Sequence, residues 1–331
     1  MKKNTIPLPH HLHDFLDWLE IEKGLRSKSQ ENYARFIKRF FDWLKKNNLE
    51  NLKPHELTPE HIWQYRAYLA RVVISNKPYN HTEPKKTLKK STQNYYLIAL
   101  RALLNFFSDR DILALPSEKI KLPKEKDGKI VSFLDLDDLE KLFAAPDTST
   151  IQGLRDRAIL EVFFSTGMRI AELLSLNREQ IKIKPESGEL EIVIIGKGGR
   201  PRTIYFSERS LGWLKKYLDK RIDTHKALFV NHNSKKVDAC TGLTPRTIQK
   251  NIKKYAIIAG LSLTTTPHVM RHSFATDLLN QGVDFRILQE FLGHKSPLAT
   301  QIYAHVTSKK LRDIHQKFHS GKNLKNEQDV K

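Results

Sequence analysis

The chain has a single cysteine, Cys240, in 331 residues. One thiol cannot close a disulfide within the chain or build a Cys-based zinc site, and it fits a reducing compartment such as the cytoplasm. Long apolar runs are missing as well. No stretch approaches the ~20 residues that cross a bilayer. The opening stretch carries Lys2 and Lys3 but no apolar core, so neither a membrane span nor a signal peptide is expected. There is no Gly-x-x-x-x-Gly-Lys-Ser/Thr loop to cradle a nucleotide phosphate, and no His-Glu-x-x-His or tight carboxylate cluster to hold a catalytic metal. Asp135, Asp137 and Asp138 lie together, but their simplest use is as negative charge at a helix N-terminus. The expectation is a chain with no metal and no cofactor. Acidic residues are also scarce: 37 Asp and Glu stand against 57 Lys and Arg, a formal charge of +20. An excess of that size, spread along the length, points to nucleic acid as the partner.

The periodicities predict a mainly α protein with one small antiparallel sheet. Four amphipathic helices fill the first ~125 residues. The first has Leu12, Phe15, Leu16 and Leu19 on one face and ends at Gly24. The second has Tyr33, Phe36, Ile37, Phe40, Phe41 and Leu44, with Arg35, Lys38, Arg39, Lys45 and Lys46 opposite. The third opens on Thr58 and Pro59, and the fourth carries Tyr96, Ala99, Leu100, Leu103, Leu104 and Phe107. Between the third and fourth runs a polar, lysine-rich stretch that includes Lys85, Lys86, Lys89 and Lys90. It suits either a solvated loop or a basic finger on DNA phosphates. The segmentation expected is a helical N-terminal DNA-binding domain over 1–120, a charged linker over 121–129, an α+β domain over 130–318 and a flexible tail over 319–331. Within the second domain, 181–206 alternates apolar and polar residues around "PESG" and "GKGG", which predicts a three-stranded antiparallel meander.

One set of polar residues stands out by its order. Pro267 can open a helix, which would put His268 and Arg271 one turn apart on the same face, at the helix end that attracts anions. Upstream are Arg169, in a tight helix–helix corner, and Lys197, in the "GKGG" turn. Downstream are His294 and Tyr303. Transfer of a phosphodiester without a metal needs groups of these kinds. Arg169 and Arg271 could clamp two phosphate oxygens. Tyr303 could attack phosphorus, and Lys197 could protonate the leaving oxygen. His268 and His294 could move protons or hydrogen-bond the phosphate. Each residue also has a plainer use: Tyr303 as a packed aromatic, Arg169 as the partner of Glu172, Lys197 as a solvated turn residue and His294 as a helix cap. Glu172 is placed to hold Arg169 rather than to react, and His272 could do likewise or simply pack.

With these residues in view, "TGMRIAELLSL", "GKGGRPR", "PHVMRHSFAT" and "LGHKSPLATQIYAHV" resemble the tyrosine recombinase (phage integrase) family, most closely its Xer type, over nearly the whole chain. The resemblance implies a SAM-like core-binding domain followed by a tyrosine-recombinase catalytic domain. Arg169, Lys197, His268, Arg271 and His294 would form the active site. Tyr303 would be the nucleophile, forming a 3′-phosphotyrosyl link on the way to a Holliday junction. It also implies double-stranded DNA carrying a recombination site as substrate. The partners implied are a homo- or hetero-tetramer with exchange of the C-terminal segment and a motor or accessory activator, at a cytoplasmic, nucleoid-associated location. Arg200 and Arg202, beside Lys197, join the four loop lysines as expected DNA contacts. The role implied is resolution of chromosome or plasmid dimers. Integration of a mobile element by the same chemistry is the alternative, and a type IB topoisomerase or a non-catalytic DNA-binding protein stands behind both.

Overall fold

The computed structural model describes residues 1–72, 87–122, 132–182, 190–196, 199, 201–232 and 241–293. The chain divides into two compact units, Met1–Gly128 and Lys129–Lys331, each with its own core.

The first unit contains four α-helices among its described residues: α1 (Leu12–Ile21), α2 (Ser27–Lys46), α3 (Pro59–Arg71) and α4 (Lys90–Asp109). The apolar stripes read from the sequence are the packed ones. Phe15, Ile37, Phe40, Leu44, Leu100, Leu103 and Phe107 are almost fully buried in one core. Rings dominate it, with Phe40 edge-on to Tyr65 at 4.9 Å and Phe15 and Trp18 both against Phe106. Trp43 is buried too, although it lies beside the expected stripe of α2. It packs on Phe40 and on Tyr65 from α3. Thr58 caps α3 by accepting the His61 N–H at 3.3 Å, with Pro59 as the first helical residue. The N-terminus is tied down by a bridge from Lys2 to the segment after α4. Ile120 is buried in this same core, and Leu122 packs against it.

The second unit is built around α6 (Ile151–Thr166). This helix is buried on nearly every side and packs against α5 (Leu136–Ala144), β2 (Pro201–Phe206), α8 (Glu208–Asp219) and α10 (Pro267–Gln281). Its buried charges are all paired, as burial requires. Arg155 donates to the Val230 carbonyl, Asp156 accepts from Asn251 and Tyr255 of α9 (Pro245–Ile258), and Glu161 accepts from Arg157 and Arg209. Asp135 caps α5, and Asp137 and Asp138 sit in its first turn as expected. β1 (Leu190–Ile195) and β2 form an antiparallel hairpin with Ile194 opposite Arg202. Ile192, Ile194, Ile204 and Phe206 face the core, while Val193, Ile195 and Tyr205 face out. Of the first strand expected in this meander, Ile181 and Lys182 are not in a strand, and the remainder lies outside the described residues. A second two-residue pair joins β3 (Val230–Asn231) to β4 (Thr241–Gly242).

α10 serves two cores. Val269 and Met270 enter the main one. Ala275 and Leu279 join Leu288 and Leu292 of α11 (Phe285–Leu292) in a small separate cluster. Opposite α10, α6 stops at Gly167, whose φ is +58°. A Cβ at that position would lie 2.3 Å from the Phe274 ring. Both the left-handed backbone and the close approach therefore demand glycine. Gly167→Ala should lower stability by roughly 2–4 kcal/mol, which urea denaturation would read as a fall in midpoint with little change in slope.

Candidate active site

The corner that follows Gly167 sets Arg169 at the N-cap of α7 (Ile170–Leu174). Across from it, Thr266 caps α10 by accepting the Val269 N–H, and Pro267 occupies the first helical position. His268 and Arg271 then leave the first turn together. A cavity of about 100 Å³ is lined by Met168, Arg169, Ile170, Gln249, Thr266, Pro267, His268 and Arg271. At liquid density it would hold about three waters, room enough for one phosphate group. Three of the six residues picked out by their order, Arg169, His268 and Arg271, thus meet at one place beside the electropositive end of a helix. Lys197, His294 and Tyr303 lie outside the described residues, as do Lys85, Lys86 and Arg200.

Arg271 is buried, and its guanidinium is fixed by carbonyl oxygens at two helix ends. Nη1 donates to Gly167 O at 2.6 Å and Nη2 to Leu292 O at 2.5 Å. Carbonyls at a helix C-terminus carry partial negative charge and lack partners within the helix, so a cation there is well placed. Arg169 is one quarter exposed and is held by Glu172. Its backbone N–H donates to Glu172 Oε2 at 2.7 Å and its Nη1 to Oε1 at 3.1 Å. Glu172 therefore caps α7 and orients the arginine that opens it.

Arg202 occupies an unexpected place. Read from the sequence as a DNA contact, its side chain is only 8 % exposed and forms a two-pronged ion pair with Glu172, both bonds 2.9 Å, while Nε donates to Phe291 O at 3.1 Å. Those bonds hold the guanidinium against Glu172 and the end of α11. Lys89 and Lys90 are exposed at the N-terminus of α4. Gln249, from the exposed face of α9, escaped the sequence analysis, because a lone glutamine in a polar helix face has no spacing that marks it.

Burial by itself would raise the Glu172 carboxyl. The Arg202 hydrogen bonds, the Arg169 N–H and both positive charges outweigh it and hold the group at about 2. His272 is displaced the other way, down to about 4, by burial first and then by its neighbours His268 and Arg271, so it is neutral at physiological pH. For Glu172 the depressed folded value means stability that is present above the unfolded value near 4.5 and is lost as pH falls through about 2. Glu172→Gln should therefore cost about 3 kcal/mol at neutral pH. That deficit should close as pH falls from ~4.5 towards ~2, in chemical denaturation of the two proteins compared at each pH.

Comparison with known proteins places this geometry. The model of the phage integrase family matches residues 132–310, and that of the phage integrase N-terminal SAM-like domain matches 12–111. The tyrosine recombinase XerD of Lacticaseibacillus casei is 31% identical over 312 residues, covering 92% of this chain and 97% of its own. The tyrosine recombinase XerC of Natranaerobius thermophilus is 30% identical, covering 94% and 98%. Among solved structures, the XerH site-specific recombinase bound to its difH substrate, before cleavage, shares the fold. It has a TM-score of 0.67 and 22% identity, covering 94% of this chain and 97% of that one. With both of its domains matched in chain order and relatives aligned almost end to end, this chain belongs to the phage integrase family and is a site-specific tyrosine recombinase of the Xer type, an enzyme that cuts and rejoins DNA.

Proposed function

We propose that Arg169 and Arg271 hold the two non-bridging oxygens of the scissile phosphate, with His268 and His294 hydrogen-bonding it, while Tyr303 is the nucleophile. The Tyr303 oxygen attacks phosphorus and the bond to the 5′-oxygen breaks. Lys197 gives the departing oxygen its proton. The products are a 3′-phosphotyrosyl ester and a 5′-hydroxyl. Attack of a 5′-hydroxyl from the exchanging strand reverses these steps and frees the tyrosine. One phosphodiester is exchanged for another each time, so resealing draws on neither ATP nor a metal. The observation that carries this assignment is the convergence of Arg169, His268 and Arg271 on one phosphate-sized cavity at the start of α10. Two fixed guanidiniums there would oppose the charge that grows on the phosphate in the transition state.

The duplex is proposed to run over the basic side of the first unit. Arg35, Lys38, Arg39, Lys45 and Lys46 line a groove of about 720 Å³ with Tyr68 and Tyr96, and Asp42 is its one acid. Lys89 and Lys90 extend the positive surface at the start of α4, and the lysines at 85 and 86 are read the same way. The working form is proposed to be a tetramer, of one recombinase or a related pair, that exchanges the segment after Tyr303. It would resolve chromosome or plasmid dimers in the cytoplasm, at the nucleoid, under the control of a motor or accessory protein. The relatives named XerD and XerC support that role. Among the described residues, no helix is long and apolar enough to cross a membrane.

Three outcomes are expected. On lightly nicked, fragmented genomic DNA of the source organism, the protein forms a covalent adduct, because a nick lets the short cleaved strand diffuse away. Tyr303→Phe should abolish the adduct and leave binding intact. Sequencing of the attached fragments should return one chromosomal locus. Ends of mobile elements would mean an integrase, and scattered sites a topoisomerase. Affinity should fall steeply with salt, by about 10³–10⁵ between 50 and 200 mM if six to ten phosphates are neutralised. A flat dependence would refute the charge argument.

A further inference from the structure

Both clamp arginines and the end of α11 belong to one circuit of hydrogen bonds closed by two short backbone steps. From Arg169 it runs to Glu172, which also accepts both prongs of Arg202. Arg202 Nε reaches Phe291 O, one residue before the Leu292 carbonyl that takes Arg271 Nη2. Arg271 Nη1 returns to Gly167 O, two residues before Arg169. Arg202 is the only member of this circuit contributed by the hairpin, and it touches two of the other elements at once. Its neighbour confirms how closely the corner is fitted. α11 ends on Gly293 at φ +59°, and a Cβ there would meet Arg202 Cδ at 2.9 Å. Around it, Tyr205 of β2 and Phe274 of α10 pack edge-on to Phe291.

We propose that Arg202 is a positioning residue for strand cleavage, holding Arg169 through Glu172 and Arg271 through the end of α11, and that it does not contact DNA. The proposal rests on the assignment of Arg169 and Arg271 as the phosphate clamp. A guanidinium is needed for the task. A lysine at 202 keeps the charge but cannot make two parallel bonds to a carboxylate and a third, at a fixed angle, to Phe291 O. Displacement of a clamp group by an ångström is enough to slow a positioned reaction by about a hundredfold. With a lysine at 202, Glu172 keeps a positive neighbour but loses the paired guanidinium bonds that do most to hold its proton off. Its carboxyl should then take up a proton at higher pH, and in doing so release Arg169.

The test uses the full-length protein and the adduct assay on nicked genomic fragments, run across a pH series, with affinity measured against salt on the same DNA. Arg202→Lys should form adduct about ten to a hundred times more slowly. Relative to the unaltered protein at the same pH, its rate should fall further on the acid side, and the salt slope should not change. Introduced into Glu172→Gln, the same substitution should cost less than about threefold, because the shared link is already broken. Wild-type rates in Arg202→Lys at every pH would overturn the proposal. So would a slow rate accompanied by a salt slope shallower by about 0.9, the signature of one lost phosphate contact. If Arg202→Lys shows no cooperative melt, Glu172→Gln alone decides: it should slow the adduct with the salt slope unchanged, and an unaltered rate would sink the idea. Absence of adduct from the unsubstituted protein would instead count against the assignment of the clamp itself.

Discussion

A buried carboxylate held between two guanidiniums is the constraint on which the rest of the catalytic unit depends. Glu172 is ionised because Arg169 and Arg202 make it so, and they hold their positions because it is ionised. An ion group of this kind contributes little stability compared with a well-packed apolar alternative, and removing one member is costly. Its value lies in direction. Guanidiniums are flat and rigid, so each bond in the circuit specifies an angle as well as a distance. The corner leaves one side of Arg169 exposed, and Arg169 and Arg271 both line the cavity proposed to take a substrate phosphate.

The first unit shows the opposite economy of design. Its core is made of rings and aliphatic side chains with few polar groups, and its charge is spread on the outside. Positive charge crowded along α2 repels itself, and it can be tolerated because the helix is anchored from beneath by Ile37, Phe40, Phe41 and Leu44. Packing holds this unit together and hydrogen-bond geometry organises the other. That difference fits a surface that must follow a polyanion in the first case and a site that must fix one phosphate in the second.

Much of this was legible in the residues alone, and the parts that were not share a cause. Caps and first turns are local, so Thr58 with Pro59, Asp135 with its acids, and Pro267 with His268 and Arg271 could be placed from spacing. The helical stripes of α1, α2 and α4 could be read for the same reason. Arg202 could not, because its partner Glu172 lies thirty positions away. Finding it requires the hairpin register that sets Ile194 opposite Arg202 and the approach of α11 to β2. Next to Lys197 and Arg200, an arginine naturally reads as one more basic contact. The buried charges of α6 were hidden likewise, since their partners come from β3, α8 and α9. Trp43 was passed over because its burial depends on α3 crossing close by.

The two carbonyls that close α11 have a mechanical meaning. Arg202 leans on one and Arg271 on the other, and the chain that continues to Tyr303 departs from the next residue, Gly293. With Tyr303 as the proposed nucleophile and Arg169 and Arg271 as the proposed clamp, a pull on that chain would bear on both supports, and the load on one would set the alignment of the other.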